Sequence, residues 1–265
     1  MRLTLLGTGA AGGMPLYGCP CRYCVQAECN AAERREPCSA LLEWAGNRLL
    51  IDGGLMDLHR RFSPSSLQGI LLTHFHVDHV QGLFHLRWGR CAKIPVWCPD
   101  DPTGCADLLK HPGCLDFQPP LQHAQSWQLG ELSITPLELV HSQPTLGYVF
   151  RLGERRLAYL TDTLGLPPQS SQWLHALPTL DAVVIDCSFP PGNDGCNRNH
   201  NSLEQVLALR ETLRPRQMIL THIGHDFHGW LQQHALPNGV VAGWDNMCIV
   251  LEDATAENLS LSNYP

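Results

Sequence analysis

The sequence predicts an α/β protein in which two packed sheets are flanked by helices, all within one domain spanning residues 1–265. Three observations lead there. The chain is long enough, at 44% apolar residues, to bury one large core. Short apolar runs bounded by turn residues fall into two hairpin-rich groups. Helical patterns separate these groups, and no internal repeat, low-complexity tract or long Pro/Gly linker divides the chain.

Residues 3–6 read as a strand ending in glycines, and 40–44 with 48–51 as a hairpin turning at Ala45-Gly46-Asn47. The apolar run 69–73 delivers His74 and its neighbours into the loop beyond it. Further strands are expected at 95–98, 132–139, 146–151 paired with 155–160 across Gly153-Glu154, 182–186, 217–221 and 248–251. Helices are expected at 101–110, 170–176 and 202–213. Ser202 caps the last, and Leu203, Val206, Leu207 and Leu213 form its apolar stripe. The polar segment 253–265 is expected to be a poorly ordered tail.

A formal net charge of −7 argues against a protein that coats nucleic acid, which needs Lys and Arg to neutralise phosphates. A small anionic substrate would then need local positive charge, and bound divalent cations are one source. The opening apolar stretch, residues 3–6, is too short for a signal-peptide core, and no apolar run approaches a membrane span. The expectation is a cytoplasmic protein that binds neither membrane nor nucleic acid stably. Its 12 cysteines would stay reduced.

The strongest signal is Thr73-His74-Phe75-His76-Val77-Asp78-His79, an H-x-H-x-D-H cluster directly after an apolar run. Imidazoles and a carboxylate crowded this closely away from water need a shared partner, and a divalent cation is the usual one. The alternative is a histidine-rich surface loop. Downstream, His141, Asp162 and His222 each follow a strand-like run. Singly, each reads as readily as a hydrogen-bonded structural residue or turn former. Together with the first cluster they suit two ions. One would be held by His74, His76 and His141, the other by Asp78, His79 and His222, with Asp162 bridging.

This order of ligands resembles the binuclear hydrolases of the metallo-β-lactamase superfamily and covers almost the whole chain. The resemblance implies their αββα sandwich. Ile51-Asp52-Gly53-Gly54 is similar to an earlier family motif, which implies that Asp52 supports the site through hydrogen bonds; a simple hairpin exit is the other reading. Redox diiron relatives carry Glu where this chain has His76, so the match implies a hydrolase. Segments 17–24, 34–39, 78–84, 86–89 and 221–225 look like the PhnP-type phosphodiesterases of bacterial phosphonate breakdown, in the carbon–phosphorus lyase pathway. That resemblance implies opening of 5-phosphoribosyl 1,2-cyclic phosphate to ribose 1,5-bisphosphate, and a homodimer. The substrate class expected is a small phosphorylated sugar or cyclic nucleotide.

Cys19, Cys21 and Cys24 form a C-x-C-x-x-C suited to three thiolates around one structural zinc, within an inserted loop at 19–38. Three reduced loop cysteines are the plainer reading. His225, three residues beyond His222, is the candidate fourth ligand, a role the PhnP resemblance also implies. Cys29 and Cys38 fit less well, and Cys91, Cys98, Cys105, Cys114, Cys187, Cys196 and Cys248 read as structural or incidental. Gly7-Thr8-Gly9-Ala10-Ala11-Gly12 matches a dinucleotide fingerprint, but Gly13, Pro15, Gly18 and Pro20 follow where that motif needs a helix. Its glycines are expected to let the backbone turn beside the metal site.

The expected chemistry is metal-assisted attack of water on phosphorus, with two catalytic Mn²⁺ or Zn²⁺ ions. His200 is the expected acid for the leaving alkoxide, because its ordinary pKa suits proton transfer and the resemblance places a histidine there. A surface-loop histidine is the alternative. Asp78 would share proton transfer while remaining a ligand. Arg34 and Arg35 read equally as a fork for a second phosphate or as a solvated turn, and Lys110 and His111 are weaker candidates. Competing functions are a tRNA 3′-processing nuclease, a thioesterase or lactonase of the same fold, and a non-catalytic zinc-binding module.

Overall fold

The computed structural model describes residues 1–192, 199–252 and 259–263. Cys196 and the tail residues 253–258 and 264–265 lie outside them.

Six strands line up as neighbours in chain order: β1 (Arg2–Gly7), β2 (Ser39–Trp44), β3 (Asn47–Ile51), β4 (Gly69–Leu71), β5 (Ile94–Trp97) and β6 (Leu115–Phe117). A second sheet holds β7 (Trp127–Leu129), β8 (Leu132–Glu138), β9 (Leu146–Leu152), β10 (Arg155–Leu160), β11 (Ala182–Asp186), β12 (Gln217–Thr221) and β13 (Val240–Ala242), again in chain order. The chain then returns to the first sheet, where β14 (Met247–Leu251) pairs with β1 and β15 (Leu259–Asn263) pairs with β14. Part of the segment expected to be a poorly ordered tail is therefore an edge strand.

Why two sheets should pack with helices outside them is visible in the β2–β3 hairpin. Leu42 opposes Leu49 and Leu41 opposes Leu50. With a period of two, the first pair enters the core between the sheets and the second enters the layer beneath the helices. Both faces are apolar, so both must be covered. Each such leucine contributes roughly 1.5–3 kcal/mol by leaving water. The turn Ala45-Gly46 has positive φ at both residues, 44° and 80°, as a two-residue hairpin of native twist requires.

On the outer face of the first sheet, Leu58, Leu83 and Leu108 descend from α2 (Leu58–Arg61), α4 (Leu83–Leu86) and α5 (Ala106–Lys110), having been preceded by α1 (Arg22–Cys29) and α3 (Val77–Val80). The second sheet is covered by Leu174 of α6 (Pro168–His175), Val206 of α7 (Leu203–Leu213) and Phe227 of α8 (His225–Leu231). Ser202 and Gln205 form a capping box on α7. The helix expected over 101–110 begins only at Ala106, because Asp101 Oδ1 accepts from Thr103 N and Oγ1 and turns the chain first. No helix among the described residues is long and apolar enough to cross a membrane.

Strands β3 to β6 run parallel, and β10 to β13 run parallel. Their carboxyl ends open along one edge of the sandwich. Leu146 N donates to Thr73 O across the two sheets at that edge, and Tyr148 Oη donates to Leu72 O.

Candidate metal centre

Most of the cluster sits just past strand ends, with His76, Asp78 and His79 following His74 into the short helix α3. Asp52 follows β3, His74 follows β4, His141 follows β8, Asp162 follows β10 and His222 follows β12. Asp52, Asp162 and His222 hold left-handed backbone conformations, with φ of 59°, 58° and 52°. Such conformations are costly for residues with side chains and persist where surrounding structure imposes them. Here each turns a polar side chain back over the strand ends instead of letting it continue outward. The glycines of Gly53-Gly54 allow the close approach this needs: a Cβ on Gly54 would lie 1.8 Å from the Asp78 carbonyl oxygen.

The structure brings together His74, His76 and His141 as one group and Asp78, His79 and His222 as a second, with Asp162 against both. In the first group, His76 Nδ1 lies 2.9 Å from His74 Nε2 and 3.0 Å from His141 Nε2. His74 directs Nδ1 to Thr73 Oγ1 at 2.9 Å, and His141 directs Nδ1 to the Asn199 carbonyl at 3.2 Å. With those protons spent, both rings turn Nε2 lone pairs toward His76. Burial pushes the pKa of all three rings down, so they are neutral, as metal ligands must be.

The second group carries the opposite field. Burial works against charge on His79 and His222, but Asp162 and its neighbouring carboxylates outweigh it, holding His79 well above its ordinary pKa and His222 at about 9. Burial also opposes ionisation of Asp78 and Asp162, and the surrounding rings overcome it and push both carboxylates below their ordinary range. Nε2 of His79 and of His222 are buried and lack hydrogen-bond partners. Carboxylate oxygens stand 3.2 to 3.7 Å from them without bonding geometry. Orphaned ring nitrogens and carboxylate oxygens converging on one point are what a divalent cation satisfies, so the residues present fit the ions they would hold.

Asp52 lies outside this circle and fixes it. It accepts from Thr73 N, Thr73 Oγ1 and His79 Nδ1, each at 2.8 Å, which sets the tautomer of His79. Asp52→Asn is expected to weaken metal binding about 10- to 100-fold while the protein stays folded. Titration of metal-free protein with Mn²⁺ measures this, and an unchanged affinity would show that Asp52 is merely a turn residue.

Sequence reasoning misses Asp186 as a site residue. It terminates β11 as His74, Asp162 and His222 follow β4, β10 and β12, so the same strand-end rule was the available signal. Asp186 is fully buried and accepts from Thr163 N at 3.1 Å, Ser188 Oγ at 3.3 Å and His200 Nδ1 at 2.6 Å. The His200 ring stacks on His222, with centroids 4.6 Å apart, and meets His141 edge-on. Ser188 Oγ bonds His222 Nδ1 at 2.9 Å, joining Asp186 to that ligand as well.

Cys19, Cys21, Cys24 and His225 form a separate cluster. His225 Nε2 lies 3.4 Å from Cys19 Sγ and 3.3 Å from Cys21 Sγ, while its Nδ1 donates to Asp226. The Cys24 N–H holds the Cys21 thiol down at about pKa 6, and burial pushes the Cys24 thiol up to about 11. Three sulfurs and one ring nitrogen within a few ångströms fit a tetrahedral zinc. His225→Ala is expected to lose one equivalent of dialysis-resistant zinc and lower the melting temperature, as elemental analysis and calorimetry would read. Full zinc retention would refute the assignment. Cys29 is exposed and Cys38 is buried elsewhere.

Of the two readings of Arg34 and Arg35, the structure favours a structural turn. Arg34 donates to the carbonyls of Ala27 and Glu28 at the end of α1. Arg35 is half-buried and spends its guanidinium on His228 Nδ1, Thr8 Oγ1 and the Gly243 carbonyl. Arg34 braces the cysteine loop internally, and Arg35 fastens that loop to the sandwich. The glycine-rich segment behaves as expected, since Gly9 bridges both Pro37 and Ile223, the residue after His222. A Cβ on Gly7 would meet the Pro37 carbonyl at 2.1 Å.

Donor clusters sharing a buried carboxylate at the strand ends of a two-sheet sandwich define a metal-dependent hydrolase of the metallo-β-lactamase fold. The chain belongs to the beta-lactamase superfamily: the model of the "Beta-lactamase superfamily domain" matches residues 47–223. An octanoyltransferase from Porphyromonas gingivalis is 27% identical over 96% of this chain and 52% of its own length. Coenzyme PQQ synthesis protein B from Ectopseudomonas mendocina is 29% identical over 38% of this chain and 37% of its own. The chain thus spans about half, or less, of the length of these relatives. A crystal structure of a diphosphatase from the PhnP family superposes with a TM-score of 0.79 at 23% identity, covering 95% of this chain and 98% of that one. That likeness is one of fold.

Proposed function

We propose that the protein is a cytoplasmic phosphodiesterase that opens a small cyclic phosphodiester, with 5-phosphoribosyl 1,2-cyclic phosphate as substrate and ribose 1,5-bisphosphate as product, in phosphonate catabolism. The observation that carries this reading is the Asp186–His200 pair, bonded at 2.6 Å against the rings of His222 and His141. A pair of divalent cations, manganese or zinc, would supply, when bound, a water acidified toward neutral pH and positive charge for the phosphate oxygens. His74, His76 and His141 would hold one, Asp78, His79 and His222 the other, and Asp162 both.

The chain's own residues supply the rest. Opening a cyclic phosphodiester expels an alkoxide, which needs a proton as the bond breaks. His200 donates Nδ1–H to Asp186, so Nε2 is the atom that holds the proton to be delivered. Asp186 keeps that tautomer and steadies the ring when it is charged. A thioesterase expels a thiolate, which leaves without such help, so a buried Asp–His donor favours the phosphodiester. The PhnP-family diphosphatase of the same fold supports phosphorus as the centre attacked. The net charge of −7 supports a small substrate over a transfer RNA.

The test offers Mn²⁺-loaded protein 5-phosphoribosyl 1,2-cyclic phosphate, a 2′,3′-cyclic nucleotide, an acyl thioester and a precursor tRNA side by side. Cyclic phosphates are expected to be opened with the highest kcat/KM. Faster cleavage of the thioester or the RNA would reassign the enzyme.

A further inference from the structure

Beneath the carboxylate shared by the two donor clusters lies a buried thiol that the mechanism above leaves unused. Cys38 precedes β2 and is fully inaccessible. Three hydroxyls surround its sulfur: Tyr159 Oη at 3.3 Å, and Thr161 Oγ1 and Thr221 Oγ1 each at 3.4 Å. The two threonines directly precede Asp162 and His222 in the chain. Thr161 Oγ1 in turn donates to Asp162 Oδ2 at 2.9 Å.

Counting protons gives the set a direction. A hydroxyl has one proton, and Thr161 spends its own on Asp162. Toward Cys38 its oxygen accepts, so the bond between them is S–H to O. The sulfur's lone pairs then face Tyr159 and Thr221, whose O–H groups point at it. Burial pushes the Cys38 thiol up to about pKa 11, which keeps the proton this arrangement requires. Each polar hydrogen of the set has one acceptor.

The geometry points to Cys38 as a positioning residue for the bridging carboxylate: its S–H fixes the Thr161 hydroxyl, which fixes Asp162 Oδ2 where two cations would share it. This rests on the proposed reading only in taking Asp162 as a metal ligand, and is independent of which phosphodiester is cleaved. The carboxylate sits on a left-handed backbone at the mouth of the cluster, and a free Thr161 rotor would let it swing.

Mn²⁺ affinity and stoichiometry, measured without substrate, test it. Cys38→Ala and Thr161→Val should each weaken Mn²⁺ binding about 10- to 100-fold. The double variant should be no weaker than Thr161→Val alone, because both changes cut one chain of bonds. Cys38→Ser and Thr161→Ser, which keep a donor, should recover part of the loss. The melting temperature of metal-free protein separates packing from positioning, and Thr161→Ser against Thr161→Val gives the comparison should Cys38→Ala not fold. Unchanged Mn²⁺ affinity in Cys38→Ala, losses that add in the double variant, or a lower melting temperature with intact binding would overturn the relay. Wild-type protein that binds no Mn²⁺ would overturn both the relay and the metal reading.

Discussion

Asp162→Ala is expected to reduce the catalytic ions per chain from two to at most one and to slow phosphodiester hydrolysis by about 10³-fold or more, the loss of several kcal/mol of charge stabilisation. Among the described residues, Asp162 is the carboxylate that faces ring nitrogens of both groups. Asp162 Oδ1 lies 3.9 Å from His74 Nε2, 3.8 Å from His141 Nε2 and 3.3 Å from His222 Nε2, and Oδ2 lies 3.2 Å from His79 Nε2. Without it, four buried rings share one fewer negative charge, and the second group keeps only Asp78. Removal also leaves a cavity at a fully packed strand end, so the melting temperature of metal-free variant is the control for folding. Elemental analysis after dialysis decides the matter: two ions per chain in a folded Asp162→Ala protein would show that the carboxylate bridges nothing.

The gathering of these residues is legible in the sequence because one rule places most of them: a polar residue that can bind metal follows an apolar run at a strand end. That rule finds His74, His141, Asp162 and His222, and applied without exception it would have found Asp186. Asp186 is read as the end of a strand because its partner, His200, lies 14 residues on and nothing in the spacing joins them. The hairpin and β11 and β12 are read correctly since their apolar runs are uninterrupted. Short elements are not: α1 and α8 carry their periodicity over only one or two turns and are fixed by contacts made elsewhere, such as Arg34 on the end of α1. Arg34 and Arg35 show the same limit from the other side. A pair of arginines looks like a phosphate fork until the fold brings carbonyls to them, and only tertiary structure reports that Thr8, Gly243 and His228 are waiting.

The left-handed φ values at Asp52, Asp162 and His222 are not read from the sequence, because Asp and His enter that region more often than most side chains yet far more often adopt ordinary conformations. They explain why strand ends alone suffice to build the site. A strand that simply continued would carry its next side chain to the far face of the sheet, whereas a left-handed residue folds the chain over and aims the side chain along the strand axis. Three strands doing this at one edge of the sandwich, β3 of the first sheet and β10 and β12 of the second, direct Asp52, Asp162 and His222 toward the cluster around His79.

His200→Ala is expected to lower kcat on a cyclic sugar phosphate by about 10²- to 10⁴-fold with the ion count unchanged. The ring is one-fifth exposed and its Nδ1 is committed to Asp186, so its removal takes a proton donor and leaves the two donor groups assembled. The decisive comparison is between leaving groups. An alkoxide needs the proton and a p-nitrophenolate does not, so the variant should approach wild-type rates on bis-p-nitrophenyl phosphate while failing on the cyclic sugar phosphate. Asp186→Asn should show the same selectivity in milder form, since the amide keeps a hydrogen-bond acceptor and loses the charge that steadies a protonated ring. Because the two residues act as one unit, adding Asp186→Asn to His200→Ala should cost little more. Equal losses on both substrates would make His200 a support for His222, on which it stacks, and the leaving group's proton would have to come from solvent.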